Sequence, residues 1–119
     1  MRQTFAHDAV IVMAPDGDTA APGAAITNAL CGHWDHEPPC PLAPHHTRAE
    51  RLGGEVRLRV LFAAEPEMEE SIRHRIDSAL SAGQLRRPDG AVSRWQLRGS
   101  VRGAVLPPEV DHAARLTGG

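Results

Sequence analysis

Glu55-Val56-Arg57-Leu58-Arg59-Val60-Leu61-Phe62, and the run Pro66 to Ala82 (PEMEESIRHRIDSALSA) that follows it, decide the fold class. In the first run Val56, Leu58, Val60 and Phe62 fall on one side of an extended chain, with Arg57 and Arg59 on the other. Successive side chains of a strand point to opposite faces, so the pattern predicts a strand with one buried face. In the second run Met68, Ile72, Ile76 and Leu80 recur every four residues, which makes one apolar stripe on a helix. Pro66 suits the first turn, where its missing N–H goes unneeded, and Glu67, Glu69 and Glu70 complement the positive end of the helix dipole. Gly83 supplies the stop. A one-faced strand and a one-striped helix each need the other as cover.

The reading extends outward from there. Gly53-Gly54 suits a two-residue turn that needs positive φ, so Thr47–Leu52 and Glu55–Phe62 form a hairpin. The first arm is polar and reads as a sheet edge. Ala9–Met13 is a short apolar strand that ends at the turn Pro15-Asp16-Gly17. Pro22–Leu30 reads as a short helix stopped by Gly32. Downstream, Val92–Leu97 reads as the last strand, with Trp95 and Leu97 on one face. Glu109–Leu116, after Pro107-Pro108, is expected as a C-terminal helix. The order strand, helix, strand, strand, helix, strand predicts an α+β fold of the ferredoxin-like (split βαβ) kind. That fold is a two-layer sandwich, a four-stranded antiparallel sheet with two helices on one face. A length of 119 residues fits a single domain over 1–119, with 117–119 as a flexible tail.

Composition removes several function classes. The formal net charge is −2 and Arg supplies every basic residue. Without Lys there is no Schiff-base lysine and no phosphate-loop lysine. Arg57, Arg59, Arg94 and Arg98 are expected on the solvent face of the sheet, but without interleaved aromatics or a basic excess they argue against nucleic acid. The N-terminal segment lacks the apolar run of a signal peptide. No apolar stretch approaches the roughly 18 residues of a membrane helix. These features predict a cytoplasmic protein that binds no membrane.

The chemistry concentrates in Cys31-Gly-His33-Trp-Asp-His36-Glu-Pro-Pro-Cys40-Pro-Leu-Ala-Pro-His45-His46. These sixteen residues hold both cysteines and four of the seven histidines of the chain. Four prolines exclude regular structure, and a long connection in a small domain is often functional. In a reducing compartment paired cysteines are ligands sooner than a disulfide. Thiolate and imidazole are the donors zinc prefers, and clustered Cys and His read as a metal site. The segment 31–46 is therefore expected to be a metal-binding loop. Cys31 and Cys40 lead the ligand candidates, joined by His33, His36, His45 and His46. His45 and His46 are adjacent and point to opposite sides of an extended chain, so one of them is expected at a given ion. Asp35 and Glu37 suit hydrogen bonds to the ligand imidazoles. Zinc is favoured over copper or iron, since the loop has no Met and two cysteines are too few for an iron–sulfur cluster.

These features predict a small accessory protein whose zinc orders a surface for a protein partner. The alternatives are a zinc-dependent hydrolase with Glu37 as general base, and a metal-delivery or maturation protein. A homodimer through the uncovered sheet face is a further expectation. His7, His74 and His112 are read as solvated, with His74 beside Arg73 and Arg75 on the polar side of its helix. The terminal Arg115-Leu116-Thr117-Gly118-Gly119 resembles the tails of ubiquitin-like and sulfur-carrier proteins, which implies activation at the carboxylate. The element order departs from the β-grasp fold of those families.

Overall fold

The computed structural model of the chain describes residues 2–31, 45–87 and 89–116. The fold is α+β. Strand β1 (Gln3–Val12) leads to helix α1 (Ala21–Cys31), and the hairpin of β2 (His45–Leu52) and β3 (Glu55–Ala64) follows. A 3-10 turn (Pro66–Met68) opens α2 (Glu69–Ser81), and two three-residue strands come next, β4 (Gln84–Arg86) and β5 (Val92–Arg94). Strand β6 (Gln96–Gly103), a second 3-10 turn (Pro107–Glu109) and α3 (Val110–Leu116) complete the described chain. The main sheet is antiparallel throughout, in the order β2-β3-β1-β6, and β4 and β5 form a separate ribbon.

The alternation in β3 sets the two faces. Val56, Leu58, Val60, Phe62 and Ala64 are buried with Ala9, Ile11 and Met13 of the β1 segment, and α1 and α2 cover them. From the helices come Ala21, Ala25, Ile26 and Leu30, and Ile72, Ile76 and Leu80. Each fully buried Ile or Leu contributes about 1.5–3 kcal/mol relative to exposure. Met68 departs from the expected stripe and is 41% exposed. It sits in the 3-10 turn, where residues advance by about 120° instead of 100°, so the four-residue spacing loses the face. In the hairpin turn only Gly53 takes a positive φ, 65°, as a type II′ turn requires.

The expected strand Val92–Leu97 is broken at Trp95. Its indole Nε1 donates to Leu80 O at 2.9 Å, and its backbone N–H donates to Gly83 O at 2.9 Å. Trp95 thus clamps the end of α2, and the main-sheet strand starts after it. The opposite face of the sheet is not left to solvent along its whole length, because α3 crosses it over β1 and β3. Thr4 Oγ1 donates to Ala113 O at 3.2 Å. Arg59 joins the layers: Nη1 donates to Asp8 Oδ1 at 2.8 Å, while Nε and Nη2 donate to the two carboxylate oxygens of Glu109 at 2.8 and 2.7 Å.

Candidate functional site

The expected metal segment is described only at its two ends. Residues 32–44, with His33, His36, Cys40 and the supporting Asp35 and Glu37, lie outside the described residues, as do 117–119 with the Gly-Gly tail. Cys31 is the last residue of α1, and His45 and His46 open β2. The helix end is fixed by packing, since Ile26 and Leu30 are fully buried. Among the described residues, no group of three or more His, Cys, Asp and Glu side chains is placed to hold a metal.

His45 and His46 diverge, as adjacent strand residues must. His45 stands opposite Phe62 in the ladder, so it belongs to the face that the helices cover. Its Nε2 lies 2.9 Å from Thr27 Oγ1 on α1, one turn before Cys31. An open groove of about 430 Å³ runs between α1 and β2 here, lined by Gly23, Thr27, His45 and Thr47 among others. Thr47 Oγ1, a buried polar atom of its lining, has no hydrogen-bond partner among the described residues. His46 stands opposite Leu61, on the other face. Its ring centre lies 4.5 Å from that of His112 on α3. Burial, then the neighbouring His112, holds its pKa below the ordinary histidine value.

A second cluster escaped the sequence reading. His7 is 3% exposed and not solvated, because β1 starts at Gln3 and carries it under α2. Arg73, expected on the polar side of its helix, is 6% exposed. Its Nη1 donates to Ala6 O at 2.7 Å and to His7 Nδ1 at 2.9 Å, and its Nε donates to Glu69 Oε2 at 2.8 Å. The guanidinium carbon lies 5.9 Å from the Phe5 ring centre and 5.3 Å from that of Phe62. On the other side of the imidazole, Nε2 lies 3.1 Å from Asp77 Oδ1 and 2.6 Å from Ser100 Oγ, and Ser100 Oγ also donates to Asp77.

Ser, His and Asp side by side invite comparison with a hydrolase triad, and the hydrogen bonds decide against it. Arginine only donates, so His7 Nδ1 must be the acceptor and the neutral ring carries its proton on Nε2. In a triad the base must present an unprotonated nitrogen to the serine while the acid holds the other nitrogen. Here Asp77 and Ser100 share one nitrogen, and that nitrogen is the donor. The cluster is a partly buried polar network joining β1, α2 and β6, with His7 and Arg73 at its buried end. Desolvation by burial lowers the pKa of His7 against the opposing pull of Asp77, with Arg73 adding to the lowering. No local spacing announces such a cluster, since its members come from positions 7, 73, 77 and 100.

No protein-family model matches the chain, and no curated protein matches it. Two chains among solved structures do. One is an aminobenzoyl-glutamate utilization protein from Klebsiella pneumoniae, 13% identical, with a TM-score of 0.37. The match covers 93% of this chain and 32% of that one, so the chain spans about a third of that protein's length. A likeness at this level bears on neither fold nor activity.

Proposed function

We propose that the chain is a small metal-binding protein, in which the segment from Cys31 to His46 holds a zinc ion and the ion orders the segment as a surface for a protein partner. The observation that carries this reading is the position of the two ends. A thiol-bearing residue ends a packed helix, and an imidazole 2.9 Å from Thr27 Oγ1 begins the facing strand. A ligand on each wall lets one ion tie α1 to β2, with His33, His36 and Cys40 as the source of the remaining donors. His45 fits this shell better than His46, which turns to the opposite face. Thiolate and imidazole donors match zinc. Thiolate ligands imply a reducing compartment, in keeping with a cytoplasmic protein. The strand order β2-β3-β1-β6 with α1 and α2 on one face favours the split βαβ, ferredoxin-like sandwich, to which α3 is an addition on the second face.

Elemental analysis of tag-free protein tests the reading, with wild type beside Cys31→Ser and Cys40→Ser. The expected result is about one zinc per chain, lost in both variants, as a four-ligand site requires. No metal after purification, and none after anaerobic reconstitution, would refute it.

A further inference from the structure

The main sheet ends on β2 at one side and on β6 at the other. In β2 the two-residue turn makes Leu52 and Glu55 the hydrogen-bonded pair that closes the hairpin, so the even-numbered residues from His46 to Leu52 bond to β3. The N–H and C=O groups of Thr47, Ala49 and Arg51 therefore point out of the sheet, and no backbone group of another described element meets them. Arg48 and Glu50, between them, are exposed on the face opposite α1 and α2. Among the described residues neither forms an ion pair. Charges on an edge strand commonly keep other strands away. The charges of β6, Arg98 and Arg102 with no carboxylate, suit that purpose, because a second β6 would add Arg to Arg. Those of β2 have both signs at a spacing of two.

We propose that β2 pairs antiparallel with β2 of a second copy about a two-fold axis at Ala49, joining two four-stranded sheets into one of eight strands. In this register Ala49 faces Ala49, Thr47 faces Arg51 and Arg48 faces Glu50, the last two pairs occurring twice by symmetry. The outward N–H and C=O groups of Thr47, Ala49 and Arg51 bond to those of the second copy. An axis at Arg48 would set Arg48 against Arg48, and an axis at Glu50 would set Glu50 against Glu50. Like charges directly opposite are destabilising, whereas opposite charges support the pairing. The Ala49 register also lays Leu52, 43% exposed, against His46 of the second copy. On the helix side the edge borders the open groove of about 430 Å³, lined there by Gly23, Thr27 and Ala49, so α1 leaves room for the incoming strand. The pairing uses neither cysteine and stands whether or not the segment 31–46 holds zinc.

Sedimentation equilibrium of the full, tag-free chain in reducing buffer tests the pairing. The expected result is a reversible monomer–dimer equilibrium. Arg48→Glu should weaken the dimer at least about tenfold, and Glu50→Arg equally, because each turns two opposite-charge pairs into like-charge pairs. The double variant Arg48→Glu/Glu50→Arg inverts both pairs and should restore the dimer, which damage to the fold could not do. Amide exchange of the wild type needs no substitution. Thr47, Ala49 and Arg51 should gain protection as concentration rises, with Arg48 and Glu50 unchanged because their N–H groups already bond to β3. A monomer at about 1 mM refutes the pairing. So does a dimer that the double variant fails to restore, or one that protects the amides of β6 instead.

Discussion

Replacing Arg73 by Met keeps an unbranched apolar stem in place of the Arg methylenes and removes the charge and the donors. The loss can be worked from its neighbours. Ala6 O loses a charged donor at 2.7 Å, worth about 1.5–3 kcal/mol in a buried setting. The rings of Phe5 and Phe62 lose a cation above them, worth about 1–2 kcal/mol. The desolvation of the guanidinium is relieved, which offsets part of this. Glu69 keeps a partner in Arg102 at 2.9 Å. The net expectation is a destabilisation of about 3 kcal/mol at pH 8. With a urea slope of about 2 kcal/mol/M, the midpoint falls by about 1.5 M.

The same variant carries a pH signature. His7 has a lowered pKa, so the unfolded chain takes up its proton first as pH falls below 6.5. Wild-type stability from this group is therefore complete above pH 6.5 and declines as pH drops through the folded value. Burial remains in the variant, but the Arg73 charge and its N–H on Nδ1 are gone, and Asp77 still favours the imidazolium. The His7 pKa rises, less stability is lost in acid, and the gap between variant and wild type narrows at pH 5. Urea melts at pH 8 and pH 5, with the His7 ring followed by NMR, read both effects. A loss below about 1 kcal/mol at pH 8, or a gap that does not change with pH, would refute the network described here.

Trp95→Phe keeps a buried ring but removes the indole donor to Leu80 O, which retains the Gly83 N–H at 3.2 Å, and should cost about 0.5–1.5 kcal/mol in a urea melt followed by circular dichroism. Gly83→Ala is expected to cost more than about 1 kcal/mol, because Gly83 has φ 70° and an added Cβ would lie 2.8 Å from Trp95 O; a thermal melt shows it. Glu109→Gln weakens the bond to Arg59, so amides of 110–116 should exchange about tenfold faster, equivalent to about 1.4 kcal/mol. Arg59 holds the Glu109 carboxyl at about 2, below the ordinary 4.5. The clasp on α3 is therefore complete above pH 4.5 and is lost as pH falls towards 2, a change that amide exchange in wild type should follow and Glu109→Gln should lack.

The parts of the fold legible in the sequence are those whose cause is local. Val56 to Phe62 alternate because one side is core, and Ile72, Ile76 and Leu80 repeat because one stripe is core. Trp95 misled the reading for the opposite reason. Its alternation with Leu97 is continuous, and only a contact with Leu80 and Gly83 fifteen and twelve residues back interrupts the strand. Ala9 to Met13 marks only the apolar half of a strand that begins at Gln3, and His7 and Asp8 are accommodated in it by Arg73 and Arg59, partners 66 and 51 residues away in sequence. The histidines of 31–46 were legible as a density of donors, and the opposite directions of His45 and His46 followed from strand geometry. That His46 would meet His112 depends on where α3 lands, which no spacing encodes.

The bond from Thr4 Oγ1 to Ala113 O places the start of β1 beside the last helix. Gly53 and Gly54, at the far hairpin, have nothing within 4 Å of an added Cβ. A fold whose first and last elements are neighbours can be circularly permuted: a short linker closes the old ends, and new ends open at Gly53-Gly54. Such a permutant would make β2 and β3 the terminal strands without disturbing Cys31 or His45. It would also let the same unit be carried as an insert within a loop of a host protein, entering and leaving at one point on its surface.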